Sequence, residues 1–285
     1  MLRVLTLATL FPTAAPPPQG VFVEPQTLGP AALDAVAVEV VAPIGLPAWP
    51  LAFHPHYAPL RGLPERESWK GLSVHRPRYR VWPGFGAGRA AAMAEALLPP
   101  LRELRRRFPF DVIDAEFFWP DGPAGMRRGA AQGVPFSIKG RGADIHHWAR
   151  RPGIGERIVE AGCRADGLLA VSAALKADMV ALGLPAEKIR VHHTGIDLDL
   201  FRPLDRDSAK RALGVAAPLL VCAGALIPRK GQSVAIEALA LVPGATLALV
   251  GDGPDRAALE RLARRHGVAG RVRLLGGRPH AELPA

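Results

Sequence analysis

Short apolar runs alternate with helical patterns along nearly the whole chain, and that alternation leaves few folds open. Apolar runs buried on both faces mark parallel strands, and each parallel pair needs a crossover, normally a helix. The chain therefore reads as α/β, with parallel sheets covered by helices on both faces. Strands are expected at residues 2–8, 36–41, 72–76, 112–115, 136–139, 167–171 and 189–192. Helices are expected near residues 21–33, 124–133, 155–163 and 173–182, the last with Ser172 as N-cap and Gly183 closing it. A long helical stretch over residues 87–108 should bend or break at Pro99-Pro100. Residues 44–70, Pro-rich and carrying His54, His56 and Trp69, read as an elaborated loop.

Residues 197–207, with Pro203, read as a linker, so that 1–200 make one domain and 201–285 another. The second domain has helices at 208–213, 231–241 and 254–266, and strands at 219–223, 246–250 and 272–275. Three strands with their helices are about half of a doubly wound domain, which usually has five or six. This domain is expected to be incomplete, with Leu247, Leu249, Val272 and Leu274 exposed on its sheet.

A length of 285 residues, 49% of them hydrophobic, is enough for two domains with real cores. No apolar run reaches the length of a membrane span. The apolar opening is short and broken by Phe11-Pro12, which fits a first buried strand better than a secretion signal. Cys163 and Cys222 show no metal-ligand spacing and no disulfide density, which suits the cytoplasm. The net charge of +10 favours anionic partners: nucleic acid, an anionic membrane surface or a phosphorylated ligand. Its arginines are scattered, however, and the clusters Arg105-Arg106-Arg107 and Arg264-Arg265 read as solvated helix faces. No aromatic-basic RNA-binding module is present. No nucleic-acid partner is expected; peripheral contact with the inner face of an anionic membrane is compatible with the charge.

The segment Gly224-Ala225-Leu226-Ile227-Pro228-Arg229-Lys230-Gly231 carries the most chemistry. A buried strand feeds a tight turn with two adjacent cations at a helix N-terminus, where free backbone N–H groups and the helix dipole favour anions. A guanidinium fork and a mobile ammonium at that point suit a phosphate or diphosphate. A Walker loop is excluded, because Lys230 precedes Gly231 and no Ser or Thr follows at once. Gly251-Asp252-Gly253-Pro254-Asp255-Arg256 opens like a dinucleotide fingerprint but has Arg where the third small residue belongs. Its glycines still offer a backbone that a ligand can approach closely.

Taken together, these blocks resemble the retaining, nucleotide-sugar-dependent glycosyltransferases of the GT-B fold, family 4-like. The resemblance covers most of the chain and is strongest from residue 167 to 283. It rests on Leu169-Ala170-Val171-Ser172, Thr194-Gly195-Ile196-Asp197, Phe201-Arg202-Pro203, Pro228-Arg229-Lys230-Gly231, Leu249-Val250-Gly251-Asp252-Gly253-Pro254 and His280-Ala281-Glu282-Leu283-Pro284, in that order. In the first half, Phe11-Pro12 followed by Gly20, and Lys139-Gly140 with Asp144-Ile145, resemble the family's first loop and its acceptor-side block.

The resemblance implies two Rossmann-like domains, an acceptor-side one at 1–200 and a donor-nucleotide-binding one at 201–285. The donor is a nucleoside diphosphate sugar; the acceptor is a glycan, a lipid-linked molecule or a small molecule. Lys230 falls on the lysine that contacts the donor diphosphate, and Arg229 lies beside it. Ala225 stands where the family commonly has an arginine, which removes one cation. Gly20, Gly251 and Gly253 would border the donor, and Leu275 with Gly276 and Gly277 would pass near its base. Asp144 and Asp121 would sit in the acceptor-side cleft, where a carboxylate orients a sugar or else fixes a loop. The cleft is expected to be lined by Gly20, Asp144, Lys230 and Gly253. His146 and His147 read as surface residues, and Arg141-Gly142-Ala143 occupies a block that holds a histidine in many relatives.

Catalysis would come from positioning and from neutralising the leaving diphosphate, with Lys230 and Asp144 as the catalytic residues. No cofactor and no metal are implied, since fixed cations do the work of a divalent ion. The family's later glutamate pair, one near the transferred sugar and one on the donor ribose, has no counterpart here, which points to a truncated chain. The rival readings are a non-catalytic nucleotide-binding remnant and a basic nucleic-acid-binding protein.

Overall fold

The structure is a computed structural model that describes residues 1–15, 20–55, 57–82, 86–216 and 218–284. Residues 16–19 of the first Pro-rich loop, His56, residues 83–85, Ala217 and Ala285 lie outside that set. The chain divides into two compact units, Met1–Gly195 and Ile196–Ala285.

The first unit opens with strand β1 (Leu2–Leu7), helix α1 (Val23–Ala31), strand β2 (Val36–Val41) and the short strand β3 (Ile44–Leu46). Helix α2 (Ala58–Arg61) and strands β4 (Arg66–Trp69), β5 (Leu72–His75) and β6 (Arg78–Arg80) follow. Next come α3 (Arg89–Arg107), β7 (Val112–Ala115), α4 (Asp121–Gln132), β8 (Phe136–Gly140) and α5 (Gly155–Arg164). Strand β9 (Gly167–Ala170), helix α6 (Ala173–Ala181) and strand β10 (Ile189–Val191) complete it. Eight strands form one sheet in the order β10-β9-β8-β7-β1-β2-β5-β4, while β3 pairs only with β6. Every pairing is parallel except β4 with β5. From β1 the chain builds outward through β2 in one direction and through β7 in the other. The strand order reverses between β1 and β7.

Both faces of this sheet are covered, as parallel strands require. One face buries Leu5, Leu7, Ile113 and Ile138 under Met93, Leu97 and Leu101 of α3 and Ile158 of α5. The other buries Val40 and Val74 with Phe11 and Val23. Helix α3 is continuous through Pro99 and Pro100, correcting the expected break. Leu97, Leu101 and Leu104 are buried on its inner face, and each contributes on the order of 1.5–3 kcal/mol by burial. Pro99 and Glu95, whose carbonyl loses its partner, lie on the exposed side, where that carbonyl is open to solvent.

The stretch at 44–70 is more ordered than the loop expected from its prolines. It holds β3 and α2, and β4 forms a hairpin with β5 through Lys70-Gly71. Both turn residues have positive φ, 49° and 87°, as a two-residue turn matched to the strand twist requires. Strands of three residues carry too few positions for a period of two to register in the sequence. Ser172 does cap α6, its hydroxyl accepting from the Leu175 N–H at 3.1 Å.

The second unit contains α7 (Arg206–Ala212), β11 (Leu219–Ala223), α8 (Gln232–Ala240), β12 (Thr246–Val250), α9 (Arg256–Arg265) and β13 (Val272–Gly276). Its three strands run parallel in the order β11-β12-β13. Leu247 and Leu249 are fully buried against Ile236 and Leu239 of α8 and Leu259 of α9, not exposed as expected. Two helices on one face suffice to cover the central strand. The exposed apolar groups lie instead on β11, where Leu220 and Val221 face solvent.

Candidate functional site

In open α/β sheets, ligands bind beyond the carboxyl ends of the strands, where the strand order reverses. In the first unit that point lies between β1 and β7. The loops leaving these strands are tied together: the Thr9 N–H donates to Asp121 Oδ2 at 3.1 Å, and the Glu116 N–H to Leu7 O at 2.9 Å. Gly20 closes the β1 loop with φ of 68°, and a Cβ there would lie 1.3 Å from Leu10 O. Only glycine fits, because Gly20 lies directly against the Leu10 backbone.

A buried charge network spans the ends of β7 and β8. Lys139 Nζ donates to Glu116 Oε1 at 2.6 Å and pairs with Asp114 Oδ2 at 2.7 Å. Arg141 pairs with the second Glu116 oxygen and donates through Nε to Glu116 O at 3.0 Å. Its Nη2 also reaches Gln26 Oε1 of α1 at 2.5 Å. Burial lowers the Lys139 pKa, but Asp114 and Glu116 outweigh it and hold the ammonium above its ordinary value. The sequence reading named Lys139 and passed over Glu116; its one signal was an acidic residue directly after an apolar strand.

Asp144 is buried and turned toward backbone. Its Oδ2 accepts from the Phe118 N–H at 3.2 Å, and its Oδ1 from the Arg141 N–H at 3.0 Å. Burial raises its pKa, and these N–H groups oppose the rise. His146 and His147, two and three residues on, are exposed. Asp121 is fully buried at the start of α4, with Oδ1 lacking a hydrogen-bond partner. Burial pushes its pKa up to about 7, against the Thr9 hydrogen bonds that lower it.

The raised Asp121 value has a consequence for stability. Folded Asp121 keeps its proton up to about pH 7, whereas the unfolded side chain loses it near 3.8. The folded state therefore binds more protons inside that window, and stability falls as pH rises through it. Asp121→Asn should flatten this dependence and be relatively more stable at pH 8. Urea midpoints measured from pH 5 to 8 check it; parallel slopes for the two proteins would refute the assignment.

In the second unit, three loops meet at the carboxyl ends of β11, β12 and β13. Pro228–Lys230 forms a single helical turn, Gly231 follows at φ of 72°, and α8 starts at Gln232. Arg229 and Lys230 are exposed, and neither is in an ion pair among the described residues. The Lys230 stem passes over Gly224, its Cε 3.8 Å from where a Cβ on that glycine would sit. Buried Gln232 braces the turn, Nε2 donating to Ala225 O at 3.0 Å. A Cβ on Gly251 would lie 2.1 Å from Gly224 O, and one on Gly253 2.4 Å from Leu226 O. These glycines let the β12 loop lie directly on the β11 loop. The Gly251 N–H donates to Gly276 O at 2.8 Å, and the Gly277 N–H to Asp252 Oδ2 at 2.7 Å. Leu275 and Gly276, at the end of β13, are half-buried.

Lys230, Arg229, Gly251, Gly253 and Gly276 thus share one loop cluster, and Gly20 and Asp144 belong to the other unit. Two Asp-x-Asp spacings occur in the second unit, and both are engaged locally. Asp197 Oδ1 accepts from the N–H groups of Asp199 and Leu200, and Asp205 caps α7. No group of three His, Cys, Asp or Glu side chains placed to hold a metal occurs among the described residues.

Parallel sheets with ligand-ready loops at their carboxyl ends define an α/β enzyme of the two-domain, GT-B class. Residues 36–200 match Glycosyltransferase Family 4, and residues 205–285 match Glycosyl transferases group 1. The chain belongs to glycosyltransferase family 4. It is 29% identical over 295 residues to TuaC of Bacillus subtilis, a glycosyltransferase named for teichuronic acid biosynthesis, covering 95% of this chain and 70% of that protein. It is 30% identical over 240 residues to a GDP-mannose-dependent alpha-(1-6)-phosphatidylinositol monomannoside mannosyltransferase of Mycobacterium tuberculosis, covering 75% of this chain and 60% of that protein. Anabaena Alr3699/HepE in complex with UDP has the same fold, with a TM-score of 0.68 at 20% identity, covering 99% of this chain and 71% of that one. A sucrose-phosphate synthase of Thermosynechococcus elongatus gives 0.73 at 18% identity, covering 100% and 72%.

Proposed function

We propose that the chain transfers a sugar, with retention at the anomeric carbon, from a nucleoside diphosphate sugar to a glycan, lipid-linked or small-molecule acceptor. The second unit, 201–285 in the sequence reading, holds the donor, and the first, 1–200, the acceptor. The observation that carries this reading is the exposed Arg229-Lys230 pair, free of carboxylates among the described residues, beside glycine loops at the ends of three parallel strands. Nucleotide-sugar chemistry in the relatives supports it: Alr3699/HepE has been crystallised with UDP-glucose, and the mycobacterial relative is GDP-mannose-dependent.

Lys230 neutralises the leaving diphosphate, with Arg229 and the start of α8 adding to the positive field. Gly251 and Gly253 let the donor approach the backbone, and Leu275 with Gly276 flanks the base. Gly20 shapes the acceptor-side loop. Asp144 acts as a positioning residue, because its carboxylate fixes the Arg141 and Phe118 backbone rather than facing outward. Retention needs no carboxylate pair of the hydrolase kind, since positioning and charge neutralisation carry the step. No helix among the described residues is long and apolar enough to cross a membrane, and the positive charge suits peripheral contact with an anionic one.

Titration with UDP, GDP and their sugars should find one nucleotide that binds, and NMR of the product should show the donor's anomeric configuration retained. Failure of every nucleoside diphosphate to bind would end this reading.

A further inference from the structure

A cavity of about 480 Å³ opens in the first unit at the carboxyl ends of β1, β2, β5 and β6. It is lined by the backbone that follows those strands, by four arginines (Arg76, Arg80, Arg89 and Arg151) and by the aromatic residues Phe11, Tyr57, Trp82 and Trp148. Among the described residues, no aspartate or glutamate lines it.

The four arginines are not equivalent. Arg76 is buried and committed, pairing with Glu67 and donating to Pro12 O at 2.6 Å. Arg89, the first residue of α3, gives its Nε to the Tyr79 hydroxyl at 2.8 Å. Arg151 stacks on Trp148 at 4.6 Å from the ring centre and touches His147 Nε2 at 3.1 Å. Arg80 is exposed. None of these last three is paired with a carboxylate among the described residues. Three guanidinium groups without an ion pair among the described residues therefore face one concavity, joined by the N-terminus of a helix of 19 residues, whose dipole adds to the field. Spread over a convex surface, such charges would be solvated and worth little. Gathered at the rim and wall of one concavity, they focus a positive potential.

Resting on the glycosyltransferase reading above, we infer that this cavity selects an acceptor whose hydroxylated ring bears an oxyanion, a phosphate or a carboxylate. Arg80, Arg89 and Arg151 read the anion through their planar forks, and the aromatic walls take the apolar faces of the ring. An acceptor without charge would displace water from these cations with nothing in return.

The test uses three probes that differ only in the group at C6: glucose 6-phosphate, glucuronate and glucose, each titrated by calorimetry against the whole chain. One or both anions should bind at least about tenfold more tightly than glucose, the scale of a hydrogen bond to a charged group. Whichever anion binds identifies phosphate or carboxylate as the group read, and added salt should weaken it alone. Arg80→Gln combined with Arg151→Gln, both on exposed side chains, should erase the preference while nucleoside diphosphate binding in the second unit persists. Equal affinity for the three probes, no binding by any of them, or an unchanged anion preference in the double variant would overturn the inference. Loss of nucleoside diphosphate binding by the unaltered chain would instead strike the donor reading and leave anion selection standing on its own.

Discussion

Lys230→Ala is expected to lower turnover from a nucleotide-sugar donor about 100-fold or more, the scale for removing one preorganised electrostatic contact to a developing charge. Nucleoside diphosphate binding should weaken with it. The side chain is exposed and makes no ion pair among the described residues, so the unfolding midpoint should barely move. Lys230→Arg should recover only part of the activity, because a planar guanidinium does not reach the same point as a flexible ammonium. The ratio of kcat/KM values, measured beside a denaturation curve, separates the chemical role from a folding defect. Near-normal turnover in Lys230→Ala would remove the ammonium from the mechanism and leave Arg229 and the backbone to neutralise the diphosphate.

The turn that carries Lys230 was legible in the sequence because everything that defines it is local: an apolar strand, a glycine, a proline and a helix start within a few residues. The same holds for strands β2, β7, β11 and β12, whose ends in the structure coincide with those read from apolar runs. Where the reading failed, the deciding forces acted across distance. Helix α3 keeps its course through two prolines because leucines on its inner face bury against a sheet that no local window reveals. Strands β3 and β6 exist because they pair with each other, each far too short to show a period. Asp144 was legible as a residue of interest but not as one whose oxygens point at backbone N–H groups of two separate segments. Glu116 was invisible as a partner, since Lys139 and Arg141 reach it only after the crossover through α4 brings β7 and β8 side by side.

Glu116 is where the largest stability effect should appear. Its carboxylate is 1% exposed and lies between the Lys139 ammonium and the Arg141 guanidinium, itself 7% exposed. Glu116→Ala leaves Lys139 with Asp114 alone and leaves Arg141 buried without a counter-charge. Breaking a buried pair from one side typically costs about 3–5 kcal/mol, because the remaining charge stays desolvated. Removing Arg141 as well should relieve that orphaned charge, so the double variant should lose less stability than the two single losses added together. The network also ties α1, through Gln26, to the ends of β7 and β8, and the Arg141 guanidinium stacks over Phe22 and Phe117. Loss of Glu116 should therefore loosen the loops on both sides of the strand-order reversal and reduce acceptor use more than donor binding, which the proposed function assigns to the other unit. Chemical denaturation of the two single variants and the double variant, with acceptor KM and nucleotide Kd measured alongside, tests both halves. A Glu116→Ala cost below about 1 kcal/mol would mean that water reaches the network and that the triad is a surface feature.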